Sequence, residues 1–319
     1  MKLSIILPIY NVEQYIGDTL KSIYNQKINE TLFELIAVND GTPDDSMKIV
    51  NEFANVHSNL HIINQENQGL SCARNAGLKI AKGDYIWFVD SDDTLEVQSI
   101  SKVIHYIQSD PKTEIWGFNI VRVQEDNKKG KIEHIILKHK NFNLYDIPLQ
   151  REKIVHKTHI APVQRFIFKH SFLTKNNITF YPKIYHEDIE FMSRAFFLSK
   201  QIKFINYTPY RYLVRTTGSI MSSINMKSIK DRMTIALELN KYKQKYALNN
   251  FERAYFNDIA LFLIRSILKY PHSYETEFKE FINLNHKNIR MILINGLWAN
   301  CYFKDIKKCI AAIILLIKI

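Results

Sequence analysis

One short stretch of the chain reads Gly83-Asp84-Tyr85-Ile86-Trp87-Phe88-Val89-Asp90-Ser91-Asp92-Asp93. Its five consecutive apolar residues are typical of a strand that is buried on both faces of a parallel sheet. Three carboxylates follow directly where the strand ends. Because open parallel sheets bind ligands at the carboxyl ends of their strands, this stretch predicts both a parallel α/β fold and a polar site beside it.

The residues before this stretch repeat a strand and a helix three times. Runs of apolar residues predict strands over Leu3–Ile9, Phe33–Val38 and Leu60–Ile63. Helical spacing of apolar residues predicts helices over Val12–Asn25, Ser46–Phe53 (capped by Asp44 or Asp45) and Ser71–Lys82, the last capped by Ser71. Strands that alternate with helices of this length indicate βαβ units.

The pattern changes after residue 100. The sequence predicts two strands, a helix and then an extended segment, over Glu114–Gln124, Lys131–Leu137, Val163–Thr174 and Lys203–Val214. From Met226 to Ile319 the pattern is mainly helical. We therefore expect a domain over residues 1–225 and a helical C-terminal region over residues 226–319.

Composition and charge narrow the class of protein. A hydrophobic fraction of 46% and a charged fraction of 24% exclude disordered and fibrous chains. Three widely spaced cysteines indicate neither a disulfide framework nor a cysteine zinc site and fit a reducing cytoplasm. The first residues do not read as a signal peptide.

Residues 1–100 carry a net charge of −7 and residues 101–319 carry one of +18. The acidic part can hold a metal ion, and the basic part suits an anionic lipid or another polyanion.

Polar residues collect at the predicted strand ends. Asp40 precedes Gly41, whose small size permits a close ligand, and its carboxylate can accept hydrogen bonds from a base or a ribose. The alternative is a simple Asx-turn. Asp90, Asp92 and Asp93 repel one another unless a cation joins them, and carboxylates prefer Mg²⁺ or Mn²⁺. The alternative is a solvated acidic turn that caps a helix starting near Thr94.

Three further charged segments carry candidate roles. Arg74 lies in the first turn of a predicted helix and can reach an anion, or it is a surface arginine. Glu187-Asp188 precedes an apolar helical run, so these acids cap that helix, or Asp188 is a general base. Arg215 can neutralise a departing diphosphate, or it ends a basic edge strand. The glycine-rich motifs of dinucleotide and P-loop sites are absent from the sequence.

Taken in order, these segments resemble glycosyltransferase family 2, the inverting nucleotide-sugar enzymes with a GT-A fold. The resemblance covers about residues 1–220 and is carried by the segments 4–11, 38–42, 67–77, 83–93 and 187–188. It implies a Rossmann-like, mostly parallel central sheet with flanking helices, followed by a helical C-terminal region. It also implies transfer of a sugar from a nucleotide-sugar, UDP-linked in our expectation, to a glycan hydroxyl in bacterial surface polysaccharide or lipopolysaccharide synthesis.

The resemblance also assigns roles to residues. Asp188 corresponds to the catalytic base and Asp92 to the ligand of Mn²⁺ or Mg²⁺. The donor is bound by a further set: Pro8, Tyr10, Glu13, Asp40, Arg74, Asp90 and Arg215. Some relatives carry a histidine as an additional metal ligand where this chain has Arg215 and Thr216, which leaves a third protein ligand in doubt.

The tail predicts a surface contact. Aromatic residues and lysines over 298–309 precede an uncharged apolar run, Ile310–Ile317, which is too short to span a bilayer. It suits a helix on a membrane surface, or a terminal helix packed on the protein itself or on a partner subunit of a homo-oligomer. The resemblance implies a lipid-linked glycan acceptor, and with it attachment at the inner face of the cell membrane. Two other functions stay open: a basic nucleic-acid-binding protein and a catalytically inactive scaffold with the same fold.

Overall fold

The computed structural model describes residues 2–124, 134–137, 142–145, 162–215, 225–247, 249–268, 275–302 and 313. The chain forms two compact units. The first comprises residues 1–151, 161–183 and 198–222, and the second comprises residues 152–160, 184–197 and 223–319. Residues 184–197 thus group with the C-terminal helices, and the predicted domain division at residue 225 stays a prediction.

The first unit carries strands and helices in alternation. Its strands are β1 (Leu3–Ile9), β2 (Phe33–Asn39), β3 (Leu60–Asn64), β4 (Tyr85–Phe88), β5 (Thr94–Leu95), β6 (Ile115–Gly117), β7 (Ile120–Gln124), β8 (His134–Leu137), β9 (Phe142–Tyr145), β10 (Phe166–Lys169), β11 (Gln201–Phe204) and β12 (Tyr210–Val214). Its helices are α1 (Glu13–Tyr24), α2 (Ser46–Ala54), α3 (Leu70–Ile80), α4 (Ser99–Ser109) and α5 (His170–Lys175).

The larger sheet has the strand order β3-β2-β1-β4-β10-β6-β11-β9. All its strands except β10 and β9 run in the same direction, which confirms the predicted mostly parallel α/β sheet. A smaller sheet has the order β5-β12-β7-β8, with β7 and β12 parallel. In this order β2, β1 and β4 are neighbours, so the loops that follow them lie along one edge.

Burial explains why these segments form these elements. Every residue of β1 and of β4 is buried, as expected of central strands. In α1 the predicted spacing of four and three holds, since Ile16, Leu20 and Ile23 are all buried against the sheet in the hydrophobic core. The α/β prediction for the first hundred residues is therefore confirmed.

Four predictions about local structure were wrong. The helix expected over Val163–Thr174 is a 3₁₀ turn over Val163–Arg165, then strand β10, then the short helix α5. The strand expected over Glu114–Gln124 is two strands, β6 and β7, in different sheets.

The other two errors concern helix starts. No helix begins near Thr94, because residues 94 and 95 pair with β12. Helix α3 is capped by Gly69 rather than Ser71, at a positive φ of 87° that a glycine adopts without strain.

The described part of the second unit consists mainly of helices. It contains α6 (Glu187–Leu198), α7 (Met226–Tyr246), α8 (Asn250–Leu268) and α9 (Glu275–Tyr302), which confirms the predicted helical C-terminal region. Among the helices that the structure describes, none combines the length and the apolar character needed to cross a membrane. The predicted apolar run over Ile310–Ile317 lies outside the described residues except Ile313, which is exposed.

Candidate active site

Three loops that carry predicted site residues follow adjacent strands of the larger sheet. The strand order places β2, β1 and β4 side by side and parallel, so their carboxyl ends share one edge. Residues 10–13 follow β1, residues 40–45 follow β2 and residues 90–93 follow β4. The expected crevice position is therefore occupied by polar residues from three separate parts of the sequence.

Asp40 is buried, with only 3% of its surface exposed, and its carboxylate organises the entry to α3. Its Oδ1 accepts hydrogen bonds from Gln65 Nε2 (2.7 Å) and from the backbone N–H of Gln68 (2.9 Å). Its Oδ2 accepts one from the N–H of Gly69 (2.8 Å). These long-range bonds are not the local Asx-turn that was the alternative. One of the roughly four lone-pair positions of a carboxylate remains for a ligand donor.

The loop after β1 presents one exposed ring and one buried proline. Tyr10 is 47% exposed. Pro8 is buried in β1, two residues beyond the last pair with β4 at Ile6, where a missing backbone N–H costs the ladder little. The sequence pattern therefore placed both residues correctly at this edge, but only the tyrosine is freely accessible.

Glu13 joins the loops that follow β1 and β2. Its Oε2 accepts a hydrogen bond from the N–H of Asp45 (3.0 Å), and its own N–H donates to Asp44 Oδ2 (2.8 Å). Thr42 Oγ1 accepts a further bond from the N–H of Asn11 (2.8 Å). Glu13 is thus a clamp between two loops of the site, and its side chain is exposed at the surface.

Asp90 lies at the end of β4 between a cation and an amide. Arg74 Nη2 is 2.7 Å from Asp90 Oδ1, and Gln164 Nε2 donates to Asp90 Oδ2. Arg74 is only 1% exposed, with its guanidinium 5.2 Å from the ring centroid of Phe180. The surface-arginine alternative for Arg74 is therefore wrong, and the anion that it reaches in this structure is Asp90.

Asp92 is paired with Arg215. Arg215 Nε lies 2.6 Å from Asp92 Oδ2, and each side chain is 17% exposed. The same guanidinium lies 4.9 Å from the ring centroid of Tyr15. Burial and the neighbouring charge of Asp90 raise the pKa of Asp92, while Arg215 acts in the opposite direction. Burial is the larger cause of this raised pKa, and the repulsion from Asp90 is the part that a cation bound beside both carboxylates would relieve.

Asp93 serves the fold. It is 1% exposed, its Oδ2 accepts from the Tyr210 hydroxyl (2.6 Å) and its Oδ1 accepts from the N–H of Leu213 (2.7 Å). Burial, together with the charges of Asp92 and Asp90, raises its pKa well above the usual range. Asp93 thus ties β12 to the loop after β4, and the expectation of a solvated acidic turn here was wrong.

The acidic cluster fits a divalent cation through two of its three members. Carboxylate oxygens of Asp90, Asp92 and Asp93 lie within 4.8 Å of one another. Both oxygens of Asp93 are already hydrogen-bonded in the interior, whereas Asp90 and Asp92 are partly exposed. Hard oxygen ligands of this kind select Mg²⁺ or Mn²⁺. The cluster is therefore consistent with the predicted divalent-cation site, with Asp92 as the expected ligand and Asp90, whose two oxygens are held by Arg74 and Gln164, beside it.

Asp188 lies in the first turn of α6, in the second unit. Its Oδ1 accepts a hydrogen bond from the N–H of Ile189 (2.9 Å), and its side chain is half-buried. The two residues before α6 are held by α7. The N–H of Tyr185 donates to Asp231 Oδ2 (2.9 Å), and His186 Nε2 lies 2.9 Å from Ser228 Oγ. The position in the first turn agrees with the capping alternative, and the role of Asp188 as a general base stays a prediction.

Sequence reasoning missed two residues of the site in the first unit. Gln164 holds Asp90, and Tyr210 joins Asp93 to the backbone N–H of Asp90 (3.1 Å). Gln164 fell within a segment that was predicted as a helix. Tyr210 fell within the predicted extended segment Lys203–Val214, but nothing in its spacing marked it as a partner of residues 117 and 120 positions earlier.

The chain is similar to known bacterial proteins. It is 32% identical over 225 residues to the "Poly(ribitol-phosphate) beta-glucosyltransferase" of Bacillus spizizenii, which covers 70% of this chain and 34% of that protein. It is 30% identical over 229 residues to the "Uncharacterized glycosyltransferase EpsJ" of Bacillus subtilis, which covers 72% of this chain and 65% of that protein. The chain thus matches between a third and two thirds of the length of these relatives.

A solved structure shares the fold. The crystal structure of residues 1–349 of Staphylococcus aureus TarS in complex with UDP-GlcNAc superposes with a TM-score of 0.69 at 22% identity, and the match covers 98% of this chain and 90% of that one. The model of the family described as "Glycosyl transferase family 2" matches residues 4–173, which is more than half of the chain. This chain therefore belongs to glycosyl transferase family 2 and has a GT-A-like α/β fold.

Proposed function

We propose that this protein transfers a sugar from a UDP-sugar to a hydroxyl of a glycan acceptor, with inversion, during synthesis of a bacterial surface polymer. The observation that carries the proposal is the edge of the larger sheet where Asp40 follows β2 and where Asp90 and Asp92 follow β4, on either side of β1. The relative from Bacillus spizizenii is named for the polymer poly(ribitol-phosphate), and TarS has been crystallised with UDP-GlcNAc and with UDP.

The nucleoside is held by the loops after β1 and β2. Asp40 has one acceptor position left and can take a hydrogen bond from uracil or ribose. Tyr10 offers an exposed ring for stacking on the base, and buried Pro8 forms the floor of the same loop. Glu13 holds the two loops together, so its contribution to donor binding is to position them.

The diphosphate is bound where the acidic cluster meets arginine. Asp92 and Asp90 would hold Mn²⁺ or Mg²⁺, which supplies positive charge to the phosphate oxygens of the leaving group. Arg215 can exchange its contact with Asp92 for one with the diphosphate, because it is partly exposed. Arg74 remains paired with Asp90 and fixes its orientation.

Asp188 is the proposed general base. It takes the proton from the acceptor hydroxyl, and the oxygen attacks the anomeric carbon from the side opposite the diphosphate. The bond between that carbon and the diphosphate oxygen breaks, and its electron pair leaves with the nucleotide. One such displacement inverts the anomeric configuration. The support is the ordered set of motifs, in which Glu187-Asp188 takes the place of the family's base.

The acceptor and the membrane contact are part of the proposal. A net charge of +18 over residues 101–319 favours an anionic polymer or a lipid-linked glycan at the inner face of the membrane, approached through the C-terminal helix. Membership of the family favours the transferase over the nucleic-acid-binding alternative. An inactive scaffold is disfavoured because the predicted acidic residues are all present.

The test is a panel of nucleotide-sugars assayed for transfer and hydrolysis, and for thermal stabilisation with and without Mn²⁺. We expect UDP-sugars to stabilise the protein only with the metal present. Asp188→Asn should retain UDP affinity but lose about two to four orders of magnitude in kcat, the usual scale for a general base.

Glu277→Gln, an exposed acid on α9 in the same unit, is the matched control and should turn over normally. Normal turnover by Asp188→Asn would remove the base from the mechanism. Absence of metal-dependent UDP binding by the wild-type protein would remove the proposed function itself.

A further inference from the structure

Arg165 is a buried cation without an acidic partner. It ends the 3₁₀ turn before β10 and is 4% exposed. Its Nε donates to the carbonyl oxygen of Phe118 (3.1 Å), but its Nη2 is buried and has no hydrogen-bond partner. Within the part of the chain that the structure describes, no carboxylate pairs with this guanidinium.

Such an arrangement is costly for the protein alone. Buried charges in proteins are almost always paired, and an unsatisfied buried donor costs more free energy than a hydrogen bond returns. Burial, with a smaller contribution from the charge of Arg122, lowers the pKa of Arg165 to about 10, so the group still carries its charge at neutral pH. A buried, charged donor that no protein group satisfies points to a ligand.

Arg122 supplies a second cation nearby: it lies four residues beyond Phe118, whose carbonyl oxygen accepts from Arg165 Nε, and its charge adds to the lowering of the pKa of Arg165. It lies on β7 in register with Tyr212 of β12, its guanidinium is 5.8 Å from the Tyr212 ring centroid, and its side chain is exposed. It too has no acidic partner among the described residues. Two neighbouring guanidinium groups repel each other unless an anion lies between them.

The pair adjoins the acidic cluster within the first unit. Gln164, the residue before Arg165, donates to Asp90. Tyr212, whose ring lies beside Arg122, is close to the acidic cluster. Burial raises the pKa of its phenol, and the charges of Asp90, Asp93 and Asp92 raise it further. A group bound by the two arginines would therefore belong to a substrate that is held at the donor site.

We propose that Arg165 and Arg122 form a subsite for one oxyanion, a phosphate or a carboxylate, carried by a substrate of this transferase. Guanidinium groups bind both anions through paired N–H donors. The group comes either from an anionic acceptor or from an acidic donor sugar. This inference rests on the proposed function, whose diphosphate is bound by Asp92 and Arg215, and adds a charged-substrate requirement to it.

Binding is tested first, without turnover. Inorganic sulfate is titrated at constant ionic strength with the protein saturated by UDP and Mg²⁺, so that the diphosphate position is filled, and thermal unfolding is followed. We expect a saturable rise in Tm for the wild-type protein and for Arg290→Gln, an exposed arginine on α9 that serves as the control.

Arg122→Gln and Arg165→Gln should lose that rise. Arg122 is exposed, so its variant keeps the test valid even if Arg165→Gln does not fold. Equal sulfate responses in wild-type protein, Arg122→Gln and Arg290→Gln would overturn the subsite.

Selectivity is tested next with substrate pairs that differ only in charge. UDP-glucose is compared with UDP-glucuronate as the donor, and ribitol oligomers are compared with their phosphate-linked counterparts as the acceptor. We expect one pair to show a charged-to-neutral ratio of kcat/KM that falls at least about ten-fold in Arg122→Gln, as hydrogen bonds to charged groups predict. The responding pair identifies the source of the anion.

Unchanged ratios for both pairs, with turnover intact, would overturn the subsite and leave the transferase standing. Loss of metal-dependent UDP binding by the wild-type protein would instead overturn the proposed function, and the sulfate titration without nucleotide would still report on the arginines.

Discussion

Strand β2 carries a buried carboxylate at each end, and the two ends of the strand differ in what surrounds that group. Glu34 at the start accepts from the N–H groups of Lys82 (2.6 Å) and Gly83 (3.1 Å), which follow α3. Asp40 at the finish accepts from the N–H groups of Gln68 and Gly69, which precede α3. The strand therefore fastens the same helix at both of its ends.

Beyond this shared contact the two ends diverge. Glu34 also accepts from Ser4 Oγ (2.5 Å) and pairs with Lys2, so its partners are all parts of the framework. At the Asp40 end, the acids that follow β4, the strand on the other side of β1, pair with the guanidinium groups of Arg74 and Arg215. Backbone N–H groups hold a carboxylate permanently, whereas a partly exposed guanidinium can exchange its carboxylate for the phosphate of a ligand. This difference in partners separates Glu34, which stabilises the fold, from Asp90 and Asp92, which belong to the candidate site.

The largest expected effect is at the carboxyl end. Asp92→Asn should lower kcat/KM by about a hundred-fold or more, on the scale of removing one charge-stabilising group, because it removes the proposed metal ligand. Metal-dependent UDP affinity, measured by calorimetry, should fall in parallel. Asp18→Asn, which changes a 78% exposed acid on α1, should leave both unchanged. Unaltered UDP affinity in Asp92→Asn would erase the distinction between the two ends.

Asp40→Ala should affect both stability and binding. It leaves the N–H groups of Gln68 and Gly69 and the amide of Gln65 without their acceptor, so the free energy of unfolding should fall by about 2–3 kcal/mol. Urea denaturation measures this loss, and UDP affinity should weaken as well. A variant that is destabilised yet binds UDP as the wild type does would assign Asp40 to the framework, together with Glu34.

Glu34→Gln should affect stability alone, by about 1–2 kcal/mol at pH 7, because the neutral amide accepts these hydrogen bonds less strongly. Burial by itself would raise the pKa of Glu34, but hydrogen bonds from Ser4 and Lys82, with the charges of Lys2 and His61, bring it below its ordinary range. A lowered pKa in the folded state stabilises the protein above the unfolded-state pKa, and this contribution disappears as the pH falls through the folded-state pKa.

The gap in stability between wild type and Glu34→Gln should therefore close in acid. Unfolding followed by circular dichroism between pH 3 and pH 7, in buffers of equal ionic strength, provides the measurement. A gap that stays constant across this range would show that the charge of Glu34 contributes nothing.

The smallest expected effect concerns the backbone that presents its N–H to Asp40. Gly69 has a φ of 87°, and an added Cβ would meet no atom within 4 Å. Gly69→Ala should therefore cost only the backbone strain of an extended residue with positive φ, on the order of 1 kcal/mol, seen as a small decrease in Tm. A decrease as large as that of Asp40→Ala would mean that the loop, rather than the carboxylate, determines this end of the strand.

Much of the parallel half of the fold could be predicted because its signals are local. The apolar run Leu3–Ile9 and the helical spacing of Ile16, Leu20 and Ile23 each depend on a few consecutive residues, and their burial agrees with the pattern. The failures lie at Val163–Thr174 and Glu114–Gln124. There an apolar run is equally compatible with a helix or a strand, and pairing with β4, β6 and β12 selects the outcome.

The amino-acid pattern alone established the α/β class, the edge of the sheet that bears the acids and the identity of those acids, because each strand and the loop after it are contiguous in the chain. The hydrogen-bond and ion-pair partner of each acid, in contrast, is known only from the tertiary structure. Asp90 meets Arg74 and Gln164, Asp92 meets Arg215, and Asp93 is taken into the interior by Tyr210. These partners lie 16 to 123 residues away from the acids, and no local periodicity records a contact made through packing.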